Sequence, residues 1–84
     1  MQVEIITPDT EIFKGEAELV QLPGIDGSFE ILNNHAPLIS ALQKGKIKVL
    51  QRSPSDKKSG KEDFYEINGG VIEVLENKVL ILAE

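Results

Sequence analysis

Turn-forming residues punctuate this chain so closely that a helix of ordinary length has no room to form. Pro8, Pro23, Pro37 and Pro54, together with seven glycines, interrupt most candidate windows, and no stretch repeats apolar residues at three- and four-residue spacing. Between the interruptions, apolar and polar side chains alternate with the period of a strand that buries one face. An all-β chain is therefore expected.

Segment by segment, residues 3–6 begin a strand that Pro8-Asp9-Thr10 should end, because proline removes a ladder donor and presets a turn. The next run, 12–22, alternates Glu16 and Glu18 with Ala17 and Leu19 before Val20 and Leu22 place apolar groups on the glutamate face. That phase slip predicts a β-bulge or a strand passing between two layers, with Gly15 marking a kink. Pro23-Gly24, Asp26-Gly27 and Asn33-Asn34 read as turns around a short strand at 28–31, since glycine and asparagine tolerate positive φ. Further strands are expected at 39–42, 46–50, 64–67, 71–75 and 78–83, with turns at Gln43-Lys44-Gly45, Asn68-Gly69-Gly70 and Glu76-Asn77. Residues 53–62 contain no large apolar side chain and are expected to be a mobile hairpin tip. Many short strands with frequent turns predict a sandwich or barrel, and 84 residues suffice for a single domain, 1–84.

Composition excludes several classes of function. A net charge of −5 disfavours non-specific nucleic-acid binding, which needs clustered lysine and arginine. The charge is unevenly placed: residues 1–42 hold Lys14 against seven acidic groups, whereas seven of the nine basic residues fall between Lys44 and Lys61. With no cysteine and one histidine, disulfides are excluded and a zinc site would have to rest on carboxylates. The longest apolar run, 79–83, is far below the ~18 residues of a spanning helix, and the N-terminus lacks a secretory layout. A cytoplasmic protein without metal or cofactor, and without direct membrane insertion, is expected.

Nothing resembles a catalytic constellation. His35 could anchor a hydrolytic triad, but no Gly-x-Ser-x-Gly elbow accompanies it, and a loop histidine bonding backbone or a partner is the preferred reading. The glycines match neither a Walker loop nor a dinucleotide-binding turn, and the acidic residues lack calcium-loop spacing. Lys44, Lys46 and Lys48 share one face of a strand, read as a solvated edge that resists aggregation in preference to a contact with an acidic partner or anionic lipid. In residues 79–83, Val79, Ile81 and Ala83 point one way while Leu80 and Leu82 point the other. One side must be core; cover from the same domain is expected on the other, with a protein partner as the alternative.

Several motifs in order resemble the N-terminal domain of the F-type ATP synthase epsilon subunit, called delta in mitochondria. They are Ile5-Ile6-Thr7-Pro8 through Ile12-Phe13-Lys14-Gly15-Glu16, then Leu22-Pro23-Gly24 to Gly27-Ser28-Phe29-Glu30-Ile31-Leu32. Asn34-His35-Ala36-Pro37-Leu38 matches the family's His-Ala-Pro-Leu motif, and Leu42-x-x-Gly45-x-Ile47, Gly69-Gly70-Val71-Ile72-Glu73-Val74 and 79–84 match its later strands. The resemblance implies a β-sandwich of about ten strands without catalytic activity or cofactor. It would sit on the gamma subunit at the foot of the central stalk and touch the polar loops of the c-ring. There it would turn as part of the rotor, on the cytoplasmic face of a bacterial inner membrane.

By position, the resemblance places the turn-rich loop from Asp26 to His35, with Ser28, Phe29 and His35, at the c-ring-facing end and Thr7 and Ser40 on the gamma-facing side. Two stretches depart from the family: Phe29-Glu30-Ile31 stands where many members read Leu-Gly-Ile, and Asn33-Asn34 replaces a common Pro-Gly. The sequence ends at Glu84, where family members usually continue into a helical hairpin associated with ATPase inhibition, so a coupling piece without that segment is expected. The alternative reading is a free-standing adaptor that binds a peptide or sugar through residues 24–37.

Overall fold

The computed structural model describes residues 1–51 and 60–84. Among these residues there are nine strands and no helix: β1 (Gln2–Ile6), β2 (Glu11–Glu16), β3 (Leu19–Gly24), β4 (Gly27–Leu32), β5 (Leu38–Leu42), β6 (Gly45–Gln51), β7 (Lys61–Ile67), β8 (Gly70–Leu75) and β9 (Lys78–Ala83). Hydrogen bonding runs in the order β2-β1-β9-β8-β5-β3-β6-β7, and β4 pairs with β3 off that path. The link between β5 and β3 is a single residue pair, Gly24 with Leu42. At that corner the path folds over, giving a sandwich with β2-β1-β9-β8-β5 in one layer and β4-β3-β6-β7 in the other.

The core follows from alternation. Val3, Ile5, Ile72, Val74, Val79 and Ile81 from one layer meet Val20, Leu22, Ile31, Ile47 and Val49 from the other, all at most 2% exposed. Except for Ile31, the single buried residue of β4, each lies two positions from the next buried residue on its strand, so both layers turn one face inward. All neighbouring strands pair antiparallel except β1 and β9, which run parallel in the register Gln2–Lys78 to Ile6–Leu82.

Several expectations are corrected in detail. The run 12–22 is two strands. Their junction is bonded on both sides, the Ala17 N–H donating to Met1 O and the Glu18 N–H to Leu50 O. The phase slip is therefore a passage between layers. The bulge lies earlier, where Ile5 pairs with Phe13 and Ile6 with Glu11, leaving Ile12 over. Pro23-Gly24 is not a turn but the end of β3, with Pro23 opposite Ser28. Proline is accommodated because this pair is the non-hydrogen-bonded one next to a two-residue turn, so β4 asks no donor of it.

Strand β7 begins at Lys61 rather than Phe64. An edge strand tolerates such charges on its solvent side. The expected mobile tip falls mostly on residues 52–59, outside the described residues. The lysine row is not on an edge, because β6 is paired with β3 on one side and β7 on the other; Lys46 is exposed there, directly opposite Glu66.

On the side of the sandwich away from the β3–β5 corner, Phe13 of β2 meets Tyr65 of β7 with ring centroids 5.7 Å apart and planes tilted by 46°. Burial, and secondarily the Asp63 carboxylate, raise the Tyr65 phenol above its usual value of 10.0. As pH climbs past 10 the unfolded chain gives up this proton before the folded one does, so stability should fall until the folded phenol also ionises. Urea unfolding at stepped alkaline pH should show that fall. Tyr65→Phe should remove it, and an identical pH profile in the variant would refute the assignment.

Candidate functional site

The surface carries three features that could meet a partner. The first is the β3–β4 tip at Ile25-Asp26. Gly27 at φ 127° lets the chain reverse there, and a side chain at Gly24 would strike the Gly27 carbonyl at 2.6 Å and the Phe29 ring at 2.7 Å. A cleft beside this tip is lined by Asp26, Gly27, Ser28, Phe29, Ser40 and Ala41, among others. Ser28 is exposed, whereas Phe29 is half-buried and packs against the core.

The second feature is the corner containing His35. The His35 N–H donates to Leu32 O at 3.2 Å, and its Nδ1–H donates to Ala36 O at 2.7 Å, which leaves Nε2 facing outward as an acceptor. Asn34 has φ 63°. It therefore takes a left-handed conformation, and asparagine is among the non-glycine side chains that tolerate it best. Asn33 has its own task, because its Oδ1 accepts from the Met1 amine.

His35 shares a shallow cleft with Asn34, Ala36, Pro37, Leu75, Glu76 and Asn77, a lining without a nucleophile. Among the described residues no three His, Asp or Glu side chains gather as a metal site.

The third feature lies on the outer face of the β1-β9-β8-β5 layer. Pairing aligns Ala41 with Val71, Val71 with Leu82 and Leu82 with Ile6, an apolar row across four strands. Val71 is 41% and Leu82 49% exposed, and Ile39 beside the row is 73% exposed. Among the described residues, the expected cover from within the domain is absent at Val71, Leu82 and Ile39. Thr7 follows Ile6 at one end of the row, and Ser40 precedes Ala41 at the other. The Thr7 hydroxyl closes its own turn, accepting from the Thr10 N–H at 3.1 Å, while Ser40 is half-buried opposite Ile72.

The five residues singled out in the sequence therefore sort into three places. Ser28, Phe29 and Ser40 line or border the tip cleft, Thr7 lies beyond Ile6 at one end of the apolar row, Ser40 faces the inner side of its strand opposite Ile72, and His35 stands apart. The segment 26–35 is not one loop, because β4 occupies its middle and His35 lies beyond the far end of that strand from Ser28, with Ser28 to Leu32 alone spanning about 13 Å by strand rise. The row itself escapes a sequence reading. Leu80 and Leu82 hint at it, but only register brings Ala41, Val71 and Ile6 alongside.

Among known proteins, the family model described as "ATP synthase, Delta/Epsilon chain, beta-sandwich domain" matches residues 1–84. The ATP synthase epsilon chain of Chlorobium limicola is 43% identical over 83 residues, covering 99% of this chain and 88% of that one. The epsilon chain of Salinibacter ruber is 40% identical over 86 residues, and there the match spans only 58% of the relative's length. In structure, a chain of the Tetrahymena thermophila mitochondrial ATP synthase central stalk and c-ring aligns with a TM-score of 0.76 at 21% identity, covering 98% of this chain and 61% of that one. A chain of the Euglena gracilis mitochondrial enzyme aligns at 0.79 and 24%, covering 96% and 48%. At such identities the structural likeness speaks for the fold.

Proposed function

This chain belongs to the ATP synthase delta/epsilon family through its β-sandwich domain, and from that membership we propose that it is a non-catalytic rotor subunit joining the gamma subunit to the c-ring. The observation that carries the reading is the bare apolar row on the outer layer. An exposed stripe of this kind, with Thr7 beyond one end, fits burial under a protein partner better than contact with water. Gamma is the partner assigned to it.

The tip at Ile25-Asp26, with Ser28 beside it, is assigned to the polar loops of the c-ring. His35 borders Leu75, which is 51% exposed on the same outer face as the row. It is therefore grouped with the gamma contact and separated from the tip. With one surface on gamma and another on the ring, a hydrogen-bonded sandwich can transmit rotation without internal slip, which is how proton flow in the membrane sector would be coupled to ATP synthesis. The subunit would work as a peripheral protein on the cytoplasmic side of a bacterial inner membrane.

Ser28 offers the cleaner test of the tip, because replacing half-buried Phe29 would also disturb the core. Ser28→Trp is expected to weaken attachment to the c-ring by about tenfold while binding to isolated gamma stays within about twofold. Co-purification with each partner in turn would measure this. Equal loss to both, or none, would remove the tip from the ring contact, and failure of the wild-type chain to hold gamma would overturn the rotor reading itself.

A further inference from the structure

The turn joining β8 to β9 has two residues, Glu76 at φ 50° and Asn77 at φ 60°. Two successive left-handed residues make it the primed type that matches strand twist. Asparagine is at home in such a turn, but here its side chain does more than tolerate the backbone. Asn77 Oδ1 accepts a hydrogen bond from the backbone N–H of Asn34 at 2.7 Å, across 43 residues of sequence. The Asn77 carbonyl in turn accepts from the Gln2 N–H at 3.2 Å.

Asn34 immediately precedes His35 and is itself left-handed, at φ 63°. The corner is therefore a strained backbone position held from outside by a side chain of a different hairpin. Resting on the rotor reading, in which His35 meets gamma, we infer that Asn77 is a positioning residue that fixes the Asn34-His35 corner and presents the free Nε2 of His35 to the partner. It touches the partner through nothing of its own. Its effect is to order the corner before binding, so that less freedom is lost when the interface forms.

Two substitutions separate this role from a structural one. Asn77→Gly suits the φ of 60° and removes the acceptor, whereas Asn77→Asp keeps an acceptor oxygen at the same place. Each variant would be examined as the full chain, first by amide exchange and then by binding to ATP synthase stripped of its own epsilon chain. Asn77→Gly should melt near the wild type, exchange the Asn34 amide about tenfold faster, and bind about fivefold more weakly. Asn77→Asp should restore most of both. In a His35→Ala background, Asn77→Gly should cost nothing further, because the group it positions is gone.

Faster Asn34 exchange without loss of affinity would overturn the inference, as would Asn77→Asp binding as weakly as Asn77→Gly. So would an equal loss from Asn77→Gly with or without His35. If His35→Ala alone binds as the wild type does, the positioning role falls while the rotor assignment stands. If the wild-type chain does not bind the stripped complex, the rotor assignment falls and takes the positioning role with it.

Discussion

Gly70→Ala should lower the melting temperature by roughly 12–24 °C, the shift expected for a loss of about 3 kcal/mol in a domain of this size. Gly70 opens β8 at φ 152°, a conformation that side chains with a Cβ rarely adopt. A methyl group there would run into the Leu82 carbonyl and lie 3.1 Å from the Ala83 Cα. Both obstacles are backbone of β9, which is held between β1 and β8 and cannot step aside cheaply. Gly27→Ala is the control. It shares a positive φ of 127° but has no atom within 4 Å of the added methyl, so only the conformational cost of about 1–2 kcal/mol should appear. Equal melting temperatures for the two variants would mean that the contact with β9 is not what makes Gly70 necessary.

Leu82→Lys should abolish docking to the rotor while leaving the fold intact, with a loss of at least about 100-fold in affinity. Leu82 sits mid-row and is already 49% exposed, so the free chain accepts a lysine that keeps its charge in water. Under a partner the same charge would have to be stripped of solvent without a counter-ion, a penalty of several kcal/mol. Phe64→Lys provides the comparison, since Phe64 is 58% exposed on the other layer and belongs to no proposed contact. Binding to epsilon-stripped ATP synthase would decide between them. Matching losses, or undisturbed binding by Leu82→Lys, would show that the row is not the gamma surface.

Much of the architecture can be read from residue order, because alternation assigns each side chain to a face before any partner strand is known. Val3 and Ile5, Ile47 and Val49, and Val79 and Ile81 turn inward as the pattern requires. The Glu76-Asn77 reversal is also legible, though not its handedness at glutamate. What alternation cannot convey is which strands lie side by side. The parallel placement of β1 beside β9 and the corner at Gly24–Leu42 both depend on contacts between distant residues. Local chemistry misled at Pro23, where a strong turn former sits in a strand because its pair there needs no donor from it.

The same division runs through the candidate surfaces. Motif order singled out Ser28, Phe29 and His35 as parts of one loop; in space β4 carries Ser28 and Phe29, and His35 lies past its far end. The apolar row needs the register of four strands before it exists at all. Asn77 was visible only as a turn residue, since nothing in its neighbourhood points to a bond with Asn34.

The parallel pairing of β1 with β9 has a bearing on how the chain is born. During synthesis the β1–β2 hairpin leaves the ribosome early, yet one edge of β1 has no mate until β9 has emerged. Closure of that layer therefore waits on the longest-range contact in the molecule, the kind that slows folding to milliseconds or beyond. In the interval the nascent chain shows an open strand edge flanked by Val3 and Ile5, a target for chaperones and a seed for misassembly.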